Sequence, residues 1–397
     1  MTTLMNSHED DVETEGLRSW GDPFAGIDAH GHRVRVGTMH GPDGVAELTV
    51  ILGYDELREA ARDWRTFSSD APAQIPIPHE TSVRTYAQLP LECDPPAHTR
   101  YRAMVAPALE RARVERFGPD IAAFASTTME PSLRSGRGEV VEGWAVPIFT
   151  RAISLVLERP QDEERWRTWG KMVYTAEGAN PDFDAYLDEV LDEIERTPGT
   201  DAFGRLARER IDGRALSTDE LRGLIALMLA AGRDTTVDAV AGALFHLART
   251  PSVWGRIVDE PGVVGSAVDE LLRYVTPLPQ IGRRVTRDST LAGVRVAQGS
   301  WVSLAYRFAN HDARAFPDPS ACVVDRAPNR HVAFGHGPHT CVGMHVAHVV
   351  IRSVLQVLRE RAPRLQVVEP VGFEPWIDLG FDHIPHGFAR LELALAQ

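Results

Sequence analysis

Cysteine is scarce in this chain: Cys93, Cys322 and Cys341 are three residues among 397, widely spaced and odd in number. That usage argues against a disulfide framework and fits a reducing compartment. Long apolar runs are missing too. No stretch reaches the roughly 18 consecutive apolar residues that a membrane span needs. The first twenty residues, MTTLMNSHEDDVETEGLRSW, have neither the basic start nor the apolar core of a signal peptide. A cytoplasmic protein with no membrane insertion is the expectation. Positive charge is in deficit: 42 Lys and Arg against 56 Asp and Glu leave −14, which argues against nucleic acid as a partner. No linker, low-complexity block or repeat divides the chain, so one large domain is expected over residues 26–397, behind a polar, flexible segment 1–25. No G-x-G-x-x-G stands between a strand and a helix, so the chain carries no nicotinamide or flavin fingerprint of its own.

Against these absences stands one dense stretch, residues 331–343, HVAFGHGPHTCVG. It holds three glycines, a proline and a cysteine and runs straight into VGMHVAHVVIRSVLQVLRER, an apolar-periodic segment that predicts a helix. Cys341 is thus expected at a helix N-terminus, where free N–H groups and the helix dipole favour the metal-binding thiolate. Gly335, Gly337 and Gly343 would let backbone approach a flat group closely. Two other readings remain open at this point: a small buried hydrophobe at Cys341, or zinc with some of His331, His336, His339, His345 and His348. Zinc is the weaker, because structural zinc usually takes two or more thiolates at short spacing.

The rest of the chain predicts mostly helices. Residues 33–38 and 45–51 alternate like strands around GPDG, and 54–64 read as an amphipathic helix. A proline-rich loop from Thr66 to Pro90 carries Ile75, Ile77 and Tyr86. His98 and Arg102, four apart, share one face of a helix that begins after a proline pair. Trp144, Trp166 and Trp169 are expected in the core. Ser217 and Glu220 are spaced as a capping box. The helix they start is expected to run from Thr218 to Arg249, roughly 32 residues and about 48 Å, across a midpoint AAGRDTT that breaks local helix rules at Gly232, Asp234, Thr235 and Thr236. Glu270 and Arg273 lie three apart on a helix that Pro277 ends, and 278–296 reads as strands.

Phe334, Gly335, Gly337, His339, Cys341 and Gly343 fill all six fixed positions of F-G-x-G-x-H-x-C-x-G, and the stretch resembles the haem-binding signature of the cytochrome P-450 superfamily. Three further motifs resemble the family's in the right order: HTRYR, AGRDTT and ExxR at Glu270 and Arg273. The resemblance covers about residue 30 to the end. It implies a mainly α fold with small β-sheets, a triangular helical prism around a long central helix. It implies haem b with Cys341 as thiolate ligand, and a cradle of Phe334, Gly335 and Gly343. His98, Arg102, His339 and Arg283 would hold the propionates, with the adjacent Arg284 leaving that register open by one. Asp234 and Thr235 would be the proton-relay pair, Leu227, Ala230, Ala231, Leu278 and Ile281 pocket residues, and Glu270 with Arg273 a buried structural pair. Cys322 departs from the pattern, standing where the family usually has an aromatic residue. The implied reaction inserts one atom of O2 into a small apolar organic substrate, with electrons from NAD(P)H through a reductase and a ferredoxin that docks near Arg100, Arg111 and Arg113. The alternatives are a haem-thiolate enzyme of coupling, nitrating or peroxide-driven type, or a non-catalytic haem sensor.

Overall fold

Alternating residues near the start of the chain make a hairpin, in which Val34–Gly41 pairs antiparallel with Gly44–Ile51. Distant segments extend it to five strands: Trp301–Leu304 lies parallel to Gly44–Ile51, Ile281–Val285 follows, and Phe67–Ser68 closes the far edge. The computed structural model describes residues 31–41, 44–71, 84–175, 178–374, 376–378, 383–385 and 387–396. Segment 1–25 and the loop residues Ile75 and Ile77 lie outside these.

One face of this sheet takes the Tyr54–Arg62 helix, whose Leu57, Ala60 and Ala61 are buried in a smaller core with Ile281, Val302 and Phe316. The helix stops at Arg62, two residues short of the expected Trp64. The larger core is helical. Trp144, Trp166 and Trp169 are all buried in it, as expected. The Met344–Arg361 helix packs against Gly118–Ser135, Arg233–Arg249 and Val264–Val275. A three-stranded sheet of Arg364–Phe373, Phe388–Ala396 and Arg137–Glu139 completes a mainly α fold with small sheets.

The expected 32-residue helix is not continuous. It forms two pieces, Thr218–Ala230 and Arg233–Arg249, with Ala231 and Gly232 between them. The first begins on the expected capping box, in which Ser217 and Glu220 satisfy each other's backbone N–H. At the break two side chains replace a rung of the ladder. The Thr235 N–H goes to Asp234 Oδ1 at 2.8 Å, and the Ala231 carbonyl, its regular acceptor, takes the Thr235 hydroxyl at 3.2 Å instead. Regular bonding resumes with Thr236 N–H to Gly232 O. Short polar side chains compete for backbone partners in this way, which is why the local rule-breaking of RDTT produces a real interruption. Beyond it, residues 236–248 are buried on every side, as a central helix must be.

Glu270 and Arg273 have no exposed surface at all. They form a paired bond at 2.8 Å through both guanidinium edges. Arg273 also donates to the carbonyls of Asn310, Pro319 and Ala321. Glu270 accepts from Val323 N–H, Arg326 and Asn329. The pair therefore ties the Val264–Val275 helix to the irregular segment 310–329, whose backbone polar groups need such partners.

Candidate active site

Cys341 stands on the loop between a short helical turn at Gly337–His339 and the Met344–Arg361 helix. The helix begins at Met344, two residues later than expected, with Gly343 as its N-cap. The sulfur nevertheless receives the helix's first free amides, from Gly343 and Met344. Burial pushes the thiol up, while these two N–H groups and Arg102 oppose that rise. Cys341 is exposed only in the sense that it opens onto an internal cavity of about 270 Å³. Of the three glycines, Gly335 and Gly343 line this cavity. Gly337 does not. Its φ is +73°, and a Cβ there would lie 2.6 Å from the Ala61 carbonyl, so this glycine lets the loop pack on the Tyr54–Arg62 helix.

On the same cavity lie His98, Arg102, Arg283 and His339. The His98 and His339 rings are 4.3 Å apart. Both ring nitrogens of His98 and Nε2 of His339 are buried with no hydrogen-bond partner. Burial, with Arg102 beside it, pulls His98 down to about 4, and burial, with Arg283, pulls His339 down to about 2. Burial and the nearby arginines thus favour the neutral rings, and the permanent charge comes from the two arginines. Arg283, 3% exposed, donates to its neighbour's carbonyl, Gly282 O, at 2.7 Å, and among the described residues to no other group. Among the described residues neither arginine has a carboxylate partner within salt-bridge distance. Buried donors without acceptors are costly. A group bringing two carboxylates next to a thiolate ligand fits this donor set, and haem carries two propionates. Strand geometry decides between the adjacent arginines: along Ile281–Val285 side chains alternate, placing Arg283 in the cavity and Arg284 on the exposed face.

The interrupted helix contributes to the same cavity. Asp234 and Thr235 line the cavity at the break, preceded by Leu227, Ala230 and Ala231, and Leu278 and Ile281 approach from the strand side. Sequence reasoning missed Gln88, Phe149, Tyr306 and the run from Lys171 to Tyr174, which line it too. Gln88 and Lys171–Tyr174 sit in irregular text with no periodicity to expose them. Lys171 is buried and uses all three of its N–H groups: on Asp238 at 2.8 Å, Glu374 at 2.7 Å and the Phe388 carbonyl at 3.2 Å.

The remaining histidines of the loop have other work. His348 bonds Asp269 at 2.8 Å, and His331 lies 3.7 Å from the same carboxylate. Among the described residues no three His, Cys, Asp or Glu side chains stand close enough to hold a metal ion together. Of the basic residues expected to face a partner, Arg100 pairs with Asp212, and Arg113 with Glu158 at 2.7 Å. Arg111 is exposed. Arg58 and Arg62 flank His336 on the Cys341 loop and lower its pKa together with burial.

Residues 167–360 match the family described as cytochrome P-450. The nocardicin C N-oxygenase of Nocardia uniformis subsp. tsuyamanensis is 30% identical over 366 residues, covering 89% of this chain and 90% of that one. The mycinamicin IV hydroxylase/epoxidase of Micromonospora griseorubida is 31% identical, covering 82% and 84%. A solved structure described as a carbohydrate-active member of the family superposes with a TM-score of 0.84 at 33% identity, over 91% of this chain and 94% of that one. With a thiol, four nitrogen-bearing side chains and a broken helix meeting in one cavity, and with relatives alike over nearly their whole length, the chain belongs to the cytochrome P-450 monooxygenase family.

Proposed function

We propose that this enzyme inserts one atom of O2 into a C–H bond or a comparable site of a small organic molecule, the second oxygen leaving as water at the expense of two electrons and two protons. The observation that carries this reading is that Cys341 and the Asp234–Thr235 pair line one and the same cavity. When bound, haem b held through Cys341 supplies the oxygen activation.

The protein residues hold, exclude and transfer. Gly343 and Met344 N–H groups and Arg102 stabilise the thiolate that burial disfavours. Arg102 and Arg283, with neutral His98 and His339, bind the propionates through charge-assisted and neutral hydrogen bonds. The Thr235 hydroxyl gives its proton to the Ala231 carbonyl and keeps its lone pairs free to accept from a water or an oxygen species. Asp234, half-buried beside it, is placed to pass protons inward, which is positioned acid–base chemistry. Leu227, Ala230, Leu278 and Ile281 keep bulk water from the reacting carbon.

The relatives act on differing molecules, nocardicin C and mycinamicin IV by their names, and a carbohydrate in the case of the solved structure. A sugar-like substrate is therefore within the range that this chain's likeness supports. Electrons come from NAD(P)H through a reductase and an acidic ferredoxin docking on the Cys341 side. Since Arg100 and Arg113 are already paired, and Arg58 lies 3.7 Å from Asp55, Arg62 and Arg111 are the positive charges offered to it.

The test is a variant series. Cys341→His abolishes the carbon monoxide difference spectrum of a thiolate-ligated ferrous haem, whereas Cys93→Ala and Cys322→Ala keep it. Thr235→Ala still binds substrate and consumes reductant but releases peroxide in place of product, and Asp234→Asn slows oxygen consumption. Wild-type coupling in both relay variants would refute the assignment. Turnover only with added peroxide would favour a peroxide-driven enzyme.

A further inference from the structure

Above the apolar wall of the cavity runs a short polar edge that the oxygen chemistry does not use. Gln88 and Tyr174 line the cavity and are only 5% and 6% exposed. The Tyr174 hydroxyl lies 2.8 Å from that of Tyr86, and the Gln88 side chain also bonds Tyr174. We infer that the substrate is a compact, oxygen-rich molecule, with hydroxyl or ether groups, whose polar side is held by Gln88 and Tyr174. The inference rests on the monooxygenase reading and names its substrate class.

Two physical arguments support it. The first is residual bonding capacity. A carboxamide offers two donor hydrogens and two acceptor lone pairs, and a phenol one donor and two lone pairs, so the bonds described leave part of each unused. A hydrocarbon filling the cavity would cover that remainder without replacing its bonds, whereas hydroxyl or ether oxygens would complete them. Sites built to bond a substrate hydroxyl reject analogues that lack it far more sharply than apolar pockets reject size.

The second is rigidity. Glu92 accepts the Gln88 backbone N–H at 2.6 Å and is locked to Arg84 at 2.7 and 2.9 Å, both side chains being almost fully buried. Arg84 in turn donates to the Tyr86 carbonyl at 3.2 Å and lies over the Tyr174 ring. From the other side Lys171, three residues before Tyr174, is fixed to Asp238 and Glu374. Buried ion pairs that orient two neutral hydrogen-bonding groups into a cavity form a preorganised reader, which loses little freedom on binding. Since Lys171 has its own three N–H groups occupied, it anchors this edge and leaves the recognition to the amide and the phenol.

The experiment is a ligand titration of the haem-loaded enzyme, read by the haem absorption shift and by calorimetry. The probes are methyl β-glucoside, methyl β-galactoside and myo-inositol against limonene and α-pinene, on wild type, Tyr174→Phe and Gln88→Leu. At least one polyol binds more tightly than both apolar probes, and each variant weakens it by about tenfold while binding the apolar probes as well as or better than wild type. The wild-type comparison stands even if a variant fails to fold. Tighter binding of limonene or α-pinene, no binding of any polyol, or polyol binding untouched in folded variants overturns the inference. Oxygenation of an apolar probe with normal coupling would at the same time leave the monooxygenase reading standing, so the two failures are separable.

Discussion

At the residue scale the site is a set of polar groups lining a cavity, whose partners the proposed haem would supply. Arg283 and Arg284 are consecutive and chemically identical, yet only Arg283 is buried in the cavity. Arg283→Ala is expected to accelerate haem loss to apomyoglobin by one to two orders of magnitude, matching about 1.5–3 kcal/mol for a hydrogen bond to a charged group. Arg284→Ala leaves the rate as it is. Equal effects of the two would mean that the strand register is wrong. The signature showed that a basic residue was needed, but its register came from Trp301↔Arg284 and Val302↔Arg283 pairing, a contact between separate segments.

At the element scale the interrupted helix shows how local rules and function meet. Gly232 has φ −97° and ψ −8°, a conformation open to alanine, and an added Cβ would meet Phe149 at an ordinary 3.5 Å. Gly232→Ala is therefore expected to stabilise the protein by up to about 1 kcal/mol in denaturant unfolding. A lowered midpoint would show that the break is imposed by strain elsewhere. The same helix carries a pH-sensitive start. Arg214, then the Ser217 backbone and Tyr101, hold Glu220 down to about 2 from an ordinary 4.5. A depressed carboxylate contributes stability that is present above its unfolded value and lost as pH falls through the folded one. Between pH 4.5 and 2 the wild type thus loses a contribution that Glu220→Gln never has. The gap between their melting temperatures should narrow on acidification, and a gap constant with pH would remove the charge from the account.

At the scale of the whole molecule, burial changes what a common pair is worth. An exposed Glu and Arg three apart contribute a few tenths of a kcal/mol. Glu270 and Arg273, wholly buried and bonded to segment 310–329, are in another regime, where removing one partner costs about 3–5 kcal/mol. Arg273→Ala is expected to unfold cooperatively at much lower denaturant, or to fail to accumulate folded. A loss under 1 kcal/mol would show that the network is dispensable. The overall charge of −14 opposes an acidic redox partner, so the docking proposed above would depend on local charge near Arg62 and Arg111. Arg62→Glu and Arg111→Glu should slow reduction by ferredoxin, and added salt should slow the wild type, because steering between opposite charges is screened. A reduction rate indifferent to both would place the docking face elsewhere.

Much of the site was legible in the linear text because its markers are contiguous. Six positions between Phe334 and Gly343, the Asp234–Thr235 step and the Glu270–Arg273 spacing each belong to one short segment, and local chemistry requires those residue types there. The sequence by itself determined the candidate ligand, the motif order and the mainly helical class. Only the tertiary structure decided what depends on segments meeting. It chose Arg283 over Arg284, since sheet pairing sets which face is buried. It paired Arg100 and Arg113 with carboxylates 112 and 45 residues away, and it assigned Gly337 to the backbone of Ala61. It also brought Tyr86 to Tyr174 across 88 residues. Such pairings leave no period or spacing in the chain, because their stabilisation arises only when the intervening segments have folded and excluded water.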